Sequence, residues 1–203
     1  MRTTMIIAAV VALVLSFAWA ATAQQPATDG PRYQNGTELL RPGNYREWIF
    51  LSSGLGMTYD LPVGSPPTGS PAGPRFGNVF VNPSSYRGFV QSGVWPNGTI
   101  FILEGRNSSS LDSINQNGHF QTNLTRLEAE VKDARFPSGW AYFTFGAAPN
   151  LADAAAPLAG DALKRGQCVE CHTEHGAVER TFVQLYPTLI EIARLKRTLK
   201  PGF

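Results

Sequence analysis

Residues 98–105, which read Gly-Thr-Ile-Phe-Ile-Leu-Glu-Gly, are the stretch that decides the fold. A run of large apolar and β-branched residues stands between turn-forming residues at both ends, which is the pattern of a β-strand. Strand-like segments also occupy residues 78–81, 124–133 and 140–145. Since segment 124–133 alternates apolar and charged side chains, we expect it to bury one face. The middle of the chain is therefore predicted to form several antiparallel strands.

Helical patterns flank these strands. An amphipathic pattern covers residues 45–50, a helical turn is predicted over 84–90, and helical character returns over 181–186 and 188–195. Proline and glycine are frequent in residues 61–75, so this segment is predicted to be an exposed loop. We therefore predict an α+β fold, a mainly antiparallel β-sheet domain with flanking helices and a C-terminal helical segment. One helical face in that segment carries Phe182, Leu185, Leu189 and Ala193.

The binding of haem is inferred from the pentapeptide Cys168-Val169-Glu170-Cys171-His172, which contains the only two cysteines of the chain. C-x-x-C-H is the attachment signature for c-type haem, in which two thiols bond the porphyrin and the histidine ligates the iron. A redox disulfide or half a zinc site also uses C-x-x-C, but the trailing histidine and the lack of a second cysteine pair count against both. We predict one covalent haem c per chain, through Cys168 and Cys171, with His172 as the metal ligand.

The N-terminus has the features of an export signal. Arg2 precedes an apolar run over residues 5–15, and Ala21-Thr22-Ala23 supplies a cleavage site. We expect residues 1–23 to be a signal peptide cleaved after Ala23, with a retained membrane anchor as the alternative. The mature protein is then periplasmic and free of the membrane, in the compartment where haem c is normally attached. Residues 24–36 are predicted to be a flexible leader, and residues 37–203 the haem c domain.

Charge and composition limit the partners and the iron ligands. The net charge is only +2, and the chain has no long charge run, so no nucleic acid partner is expected. Small electron-carrier cytochromes usually have a methionine ligand downstream of C-x-x-C-H, but no methionine follows His172. A six-coordinate electron-transfer cytochrome, with Met57 or His119 as sixth ligand, remains the alternative function.

Six further segments carry a family resemblance. They are Asn44-Tyr45-Arg46-Glu47-Trp48, residues 79–86, residues 97–100, residues 127–133, Trp140-Ala141-Tyr142-Phe143 and residues 182–187. In this order, and together with the C-x-x-C-H motif, they resemble the cytochrome P460 family, which includes the β-sheet cytochromes c′. The resemblance runs from about Asn44 to Pro187 and thus covers most of the mature domain.

The resemblance implies a homodimer of mainly antiparallel β subunits, each with one five-coordinate haem c. In the enzymes of the family, a lysine after the G-T-V segment forms an extra bond to the porphyrin, and hydroxylamine is oxidised at the open iron face. Here Leu103 occupies the lysine's place, and no lysine stands between residues 1 and 131. This departure favours the relatives with an apolar distal pocket, which bind small gases.

The resemblance also suggests residues for the distal pocket. Leu103 is expected at the porphyrin edge, and Phe101, Phe76 and Phe80 could form a hydrophobic cap, although ordinary sheet core is the alternative for each phenylalanine. Glu128 stands where the enzymes carry a distal carboxylate and is the candidate catalytic base. Its alternative is an outward strand residue paired with Arg126 or Lys132.

The expected function is the binding or conversion of a small ligand such as NO, hydroxylamine or peroxide. A haem oxidoreductase acting on small nitrogen compounds would also need a redox partner, and a cytochrome is the expected candidate.

Overall fold

The structure is a computed structural model that describes residues 29–57, 73–111, 114, 117–165 and 168–203. The predicted signal peptide, the first part of the predicted leader and most of the Pro/Gly-rich loop lie outside the described residues. None of the described helices is long and apolar enough to cross a membrane.

A five-stranded antiparallel sheet forms the centre of the domain. Its strands are, in spatial order, β3 (Ile49–Leu55), β4 (Phe76–Val81), β5 (Thr99–Ser109), β6 (Phe120–Lys132) and β7 (Trp140–Ala147). The strand predicted at residues 98–105 is the central strand β5, and its neighbours β4 and β6 pair with it over most of its length. The predicted antiparallel sheet is confirmed.

A second, smaller sheet joins β1 (Tyr33–Gln34), β2 (Glu38–Leu40) and β8 (Ala154–Ala155). Strand β1 belongs to the segment that the sequence predicted as a flexible leader. The Tyr33 hydroxyl donates to Asp133 Oδ2 at 3.1 Å, and Asp29 accepts a hydrogen bond from Ser84 Oγ at 2.6 Å. From Asp29 onward the leader is therefore held against the domain.

The α-helices of the described chain are α1 (Pro83–Ser92), α2 (Gly160–Arg165), α3 (Cys168–His175) and α4 (Ile190–Lys196). Proline in the first turn of α1 suits a helix start, and Gly93 ends this helix with φ 78°, a left-handed conformation that glycine adopts without strain. The observed mixture of sheet and helices confirms the predicted α+β class.

The helix-like pattern over residues 45–50 was misleading. Only Tyr45–Glu47 form a 3₁₀ turn, and Ile49 already begins β3. The apolar spacing in this segment arises because Tyr45 and Trp48 pack into the core from a short turn, which does not need a continuous helix.

The two faces of the large sheet pack against different parts of the chain. The face that we call the core face carries Phe80, Ile100, Ile102, Leu127, Val131 and Phe143, which pack against Leu39, Tyr45, Trp48 and Phe136. The opposite face, which we call the helix face, carries Val81, Phe101 and Trp140, which pack against Phe89, Trp95, Val183 and Leu189. Full burial of such a side chain contributes about 1.5–3 kcal/mol. The helix-face cluster therefore holds the C-terminal segment against the sheet, and the core-face cluster holds the N-terminal segment against it.

Candidate functional site

Helix α3 carries Cys168, Cys171 and His172 and buries none of its eight side chains. Neither cysteine forms a disulfide, and both are half-buried. Residues three and four positions apart lie on one side of a helix, so the three side chains share one side of α3. Since none of these side chains is buried, a large apolar group can pack against this side of the helix. So short a helix has little stability of its own, and such a group would stabilise it.

The imidazole of His172 is held in one orientation. Its Nδ1 lies 2.8 Å from the carbonyl oxygen of Arg180, and its ring packs between Tyr142 and Phe182 with centroid distances of 4.9 and 4.5 Å. Since a carbonyl oxygen only accepts, Nδ1 must carry the hydrogen. In the neutral ring, Nε2 then keeps its lone pair for a metal, which is the arrangement that ligating histidines usually have.

A buried carboxylate stands beside the same nitrogen. Glu130 Oε1 of β6 lies 3.2 Å from His172 Nδ1, but the hydrogen on Nδ1 is directed to Arg180. Within the described chain, Glu130 Oε1 and the Tyr142 hydroxyl are buried without a hydrogen-bond partner. Burial raises the pKa of Glu130, and the neighbouring imidazole only partly opposes this effect. The carboxylate thus lies where it can influence the histidine through its charge.

Three rows of residues on the helix face lead away from His172. The first row consists of Phe101, Glu130 and Tyr142, the second of Leu103, Glu128 and Thr144, and the third of Gly77, Gly105 and Arg126. Residues directly opposite in antiparallel strands share a face, and rows two residues apart are separated by about 7 Å. The sequence-predicted Leu103 and Glu128 are therefore cross-strand neighbours, one row beyond the carboxylate that contacts His172.

Glu128 combines both of its expected environments. Its side chain is 38% exposed, and its Oε2 lies 3.5 Å from Arg126 Nε, as in the predicted surface pair. Its charge also acts on the cysteine motif of helix α3, since burial first and the Glu128 carboxylate second raise the pKa of the Cys168 thiol. The carboxylate is thus accessible to solvent and close to the cysteine motif.

The third row continues to Gly54 of β3, so that glycine occupies this row on three neighbouring strands. Other side chains lean into the space that a β-carbon would fill. Such a carbon at Gly77 would lie 3.5 Å from Leu103 Cδ1, and one at Gly105 would lie 2.8 Å from Arg126 Cγ. At Gly54 the place is taken by the Met57 thioether. We call the row Gly54, Gly77 and Gly105 the glycine row.

The structure places the predicted cap residues Leu103, Phe101 and Phe80 on two different faces of the sheet. Leu103 is half-buried on the helix face, as expected for a residue at the edge of a bound group. Phe101 shares this face, but its ring packs against Trp95 at 4.7 Å and Tyr186 at 6.4 Å. Phe80 requires a correction, because strand alternation places it on the core face, where it packs against Tyr45 at 5.6 Å. It lines the core and does not face the site.

The alternative ligands of the iron lie at different distances from these rows. Met57 is 69% exposed and leans over the glycine row, on the same side of the sheet as Leu103. His119 immediately precedes β6, whose first residue pairs with Ser109 of β5. Ser109 is six residues from Leu103, or about 20 Å along an extended strand. His119 therefore lies at the far end of the sheet.

Sequence reasoning missed a buried carboxylate on the core face. Glu104 is fully buried and accepts hydrogen bonds from Tyr45 at 2.5 Å, Arg46 at 2.7 Å, Asn78 at 2.9 Å and Arg106 at 2.6 Å. Burial alone would raise its pKa, but hydrogen bonds from Arg106, Tyr45, Asn78 and Arg46 outweigh burial and lower the pKa to about 2. The signal for this site was a charged residue in β5 on the same face as Ile100 and Ile102.

These features fit a haem. Two half-buried thiols share one side of α3 with an imidazole whose Nε2 is free for iron, and the sheet face beyond the imidazole bears Leu103 and glycine rather than bulky core side chains. A metal site made by the protein alone has less support, because no group of three His, Cys, Asp or Glu side chains comes together among the described residues.

A comparison with protein families agrees with this geometry. The family model described as cytochrome P460 matches residues 42–183, which include the large sheet, helix α3 and the contacts of His172. No curated protein matches the chain.

Proposed function

We propose, because this chain belongs to the cytochrome P460 family, that it is a periplasmic mono-haem c cytochrome with an open iron site. On this proposal it binds or converts a small ligand such as NO, hydroxylamine or peroxide. The family membership makes the chain a haem cytochrome. The open site and the compartment are the parts that require tests.

The observation that carries the proposal is the asymmetry of the helix face around His172. On one side the imidazole is enclosed by Arg180, Tyr142 and Phe182. In the other direction lie the half-buried Leu103 and the glycine row, whose own side chains cannot ligate iron. Glu128 and the exposed Met57 lie beside them. Ordinary haem with a single protein ligand binds diatomic gases, and the surroundings of the free position decide which ligands are accepted.

Each residue of the site has a distinct role in this proposal. Cys168 and Cys171 bond the porphyrin, and His172 ligates the iron through Nε2. Haem, when bound, supplies a ligand-binding and redox-active iron. Arg180 O holds the imidazole orientation, Leu103 would exclude water at the edge of the porphyrin, and Glu128 would serve as the base for a small substrate such as hydroxylamine. Oxidation of a ligand would further need an electron acceptor, for which a partner cytochrome is the proposed candidate.

The test is ligand binding by the haem-loaded protein. We expect CO and NO to bind the ferrous iron and to change its absorption spectrum in proportion to ligand concentration. A protein that forms no complex with either gas would contradict the open site. Hydroxylamine oxidation with an added electron acceptor, compared between the native chain and Glu128→Gln, would decide whether conversion follows binding and whether Glu128 is the base.

The second candidate is a six-coordinate electron carrier with Met57 as sixth ligand. The position of the Met57 thioether over the glycine row favours it, since this places sulfur on the same face as Leu103. In that case Met57→Leu would convert a low-spin iron into a high-spin one and would create gas binding. In the open-site protein the same substitution leaves the spectrum of the ferrous iron unchanged.

The homodimer and the compartment are proposed on separate grounds. Strand β3 is at an edge of the large sheet and exposes Phe50 (52%) and Leu55 (43%), so it offers an apolar edge to a second copy. Light scattering of the native chain should give a dimer mass, and Phe50→Glu should shift it to the monomer. Export is tested by the mass of the periplasmic protein, which should begin at Gln24.

A further inference from the structure

The glycine row and Arg126 together form a second feature of the helix face. Arg126 belongs to the same row as Gly105, and its Cγ occupies the space that a β-carbon of residue 105 would need. Any larger residue at position 105 would therefore displace the arginine. The glycine lets the aliphatic part of Arg126 lie flat on the sheet, so that the guanidinium stays on the helix face.

The rows place Arg126 at the end of the site that is remote from His172. Glu130, which contacts His172, and Arg126 are four residues apart on β6, or about 13 Å along the strand. Leu103 and Glu128 lie between them. A side chain in the third row thus approaches the space over Leu103 and the glycine row from the end that is remote from the imidazole.

Arg126 has hydrogen-bonding capacity to spare. Its side chain is half-exposed, and its only ion pair in the described chain joins Nε to Glu128 at 3.5 Å. Within the same residues, its terminal nitrogens donate no hydrogen bond. The hydroxyl of Thr125 is buried without a partner and lies 2.9 Å from the β-carbon position of Gly105. Two sets of unused polar groups therefore meet at the glycine row.

A guanidinium with free nitrogens binds small anions well, because its fork of donors matches their oxygen or nitrogen atoms. We propose that the space over the glycine row, with Arg126 at its edge, binds a small inorganic anion such as nitrite or azide at the open side of the haem. This inference rests on the proposed function and names the class of ligand for that same site. Glu128, with its opposite charge, limits the affinity.

The experiment measures azide and CO binding by the same haem-loaded preparations. Azide is titrated into the ferric protein and CO into the ferrous protein, and both are followed by the shift of the main haem absorption band. The variants are Arg126→Gln, Arg126→Lys, Glu128→Gln and Gly105→Ala. Arg87→Gln is the matched control, since it removes the same charge from an exposed position on α1.

We expect Arg126→Gln to weaken azide binding about ten- to a hundredfold, the usual effect of a lost charge-assisted hydrogen bond. Arg126→Lys should keep most of the affinity, Gly105→Ala should reduce it, and Glu128→Gln should increase it. Arg87→Gln should bind azide like the native chain. CO is neutral, so its affinity should be the same in Arg126→Gln and in the native protein.

Two results would overturn the inference while leaving the proposed function intact. One is an azide affinity that Arg126→Gln and Arg87→Gln leave equally unchanged, and the other is a native protein that binds CO but not azide. A native protein that binds neither ligand would overturn both the inference and the open iron site on which it rests.

Discussion

Two buried glutamates on opposite faces of the same sheet have opposite environments. Glu104, on the core face, receives hydrogen bonds from two arginines, a tyrosine and an asparagine, and its pKa falls to about 2. Glu130, on the helix face, has one buried oxygen without a hydrogen-bond partner in the described chain, and its pKa is raised. The two residues belong to the neighbouring strands β5 and β6.

The difference separates a structural carboxylate from a site carboxylate. A buried charge with all its partners present is tolerated by the fold, and the loss of any one partner is strongly destabilising. A buried carboxylate whose neighbours offset its burial only in part costs stability, and such groups concentrate at functional sites. The core face thus holds the turn at Tyr45–Glu47 against the sheet, whereas the helix face places its carboxylate beside His172 Nδ1.

The largest effect is expected from removing the satisfied carboxylate. Glu104→Ala leaves two arginines without their buried counter-charge and should lower the free energy of unfolding by about 3–5 kcal/mol. Urea denaturation followed by circular dichroism measures this change. The control is Glu47→Ala, at an exposed position of the turn at Tyr45–Glu47. It should change the free energy of unfolding by less than about 0.5 kcal/mol. If Glu104→Ala lowered the free energy of unfolding as little as Glu47→Ala does, the structural role of Glu104 would be contradicted.

The pH dependence of stability should come from the same residue. The folded pKa of Glu104, about 2, is below its ordinary value of 4.5, so its contribution is complete above pH 4.5 and is lost as the pH falls toward 2. A shift of this size corresponds to about 3 kcal/mol. Unfolding free energies of the native chain and of Glu104→Gln should therefore converge below pH 3, and parallel curves would show that Glu104 is not responsible.

Substitution of Glu130 should change the reduction potential of the haem more than the stability of the fold. Glu130→Gln replaces a buried carboxyl group, whose Oε1 has no hydrogen-bond partner in the described chain, with an amide of similar shape, so the free energy of unfolding should change by no more than about 1 kcal/mol. The reduction potential of the haem should rise, because the imidazole loses a negative neighbour and becomes a weaker electron donor. Spectroelectrochemical titration measures the potential. Glu128→Gln, the same change one row away from Nδ1, should raise it less, and equal shifts would argue against a special role of Glu130.

The smallest effect on stability is expected at Leu103, whose side chain is half-buried. Leu103→Lys should change the free energy of unfolding by less than about 1 kcal/mol but should allow the third porphyrin bond that enzymes of the family have. After proteolysis, mass spectrometry should find peptides around positions 103 and 168–172 joined through haem. Their absence in haem-loaded protein would place Leu103 away from the porphyrin edge.

The sequence predicted those features that local patterns specify. Turn residues around an apolar run identified β5, and alternation identified β6. The haem attachment and the iron ligand that C-x-x-C-H indicates stay predictions. The prediction for Phe80 was wrong because an apolar strand such as β4 can bury both of its faces, so that composition does not show which face Phe80 takes.

The partners of the two buried glutamates could not be predicted for a different reason. Glu104 and Arg46 are distant in sequence and meet only because β5 and the turn at Tyr45–Glu47 pack together. The role of Glu130 likewise depends on how α3 docks on β6. Strand alternation determines which face of the sheet each glutamate occupies, but the groups that surround each carboxylate come from segments distant in sequence.

The central claim is that His172 is the only protein ligand of the iron, and the absorption spectrum of the reduced, ligand-free protein tests it most directly. A five-coordinate iron gives a broad, high-spin visible band that changes when CO is added, and this is the predicted result. Sharp, split α and β bands would show a sixth protein ligand and would contradict the open site.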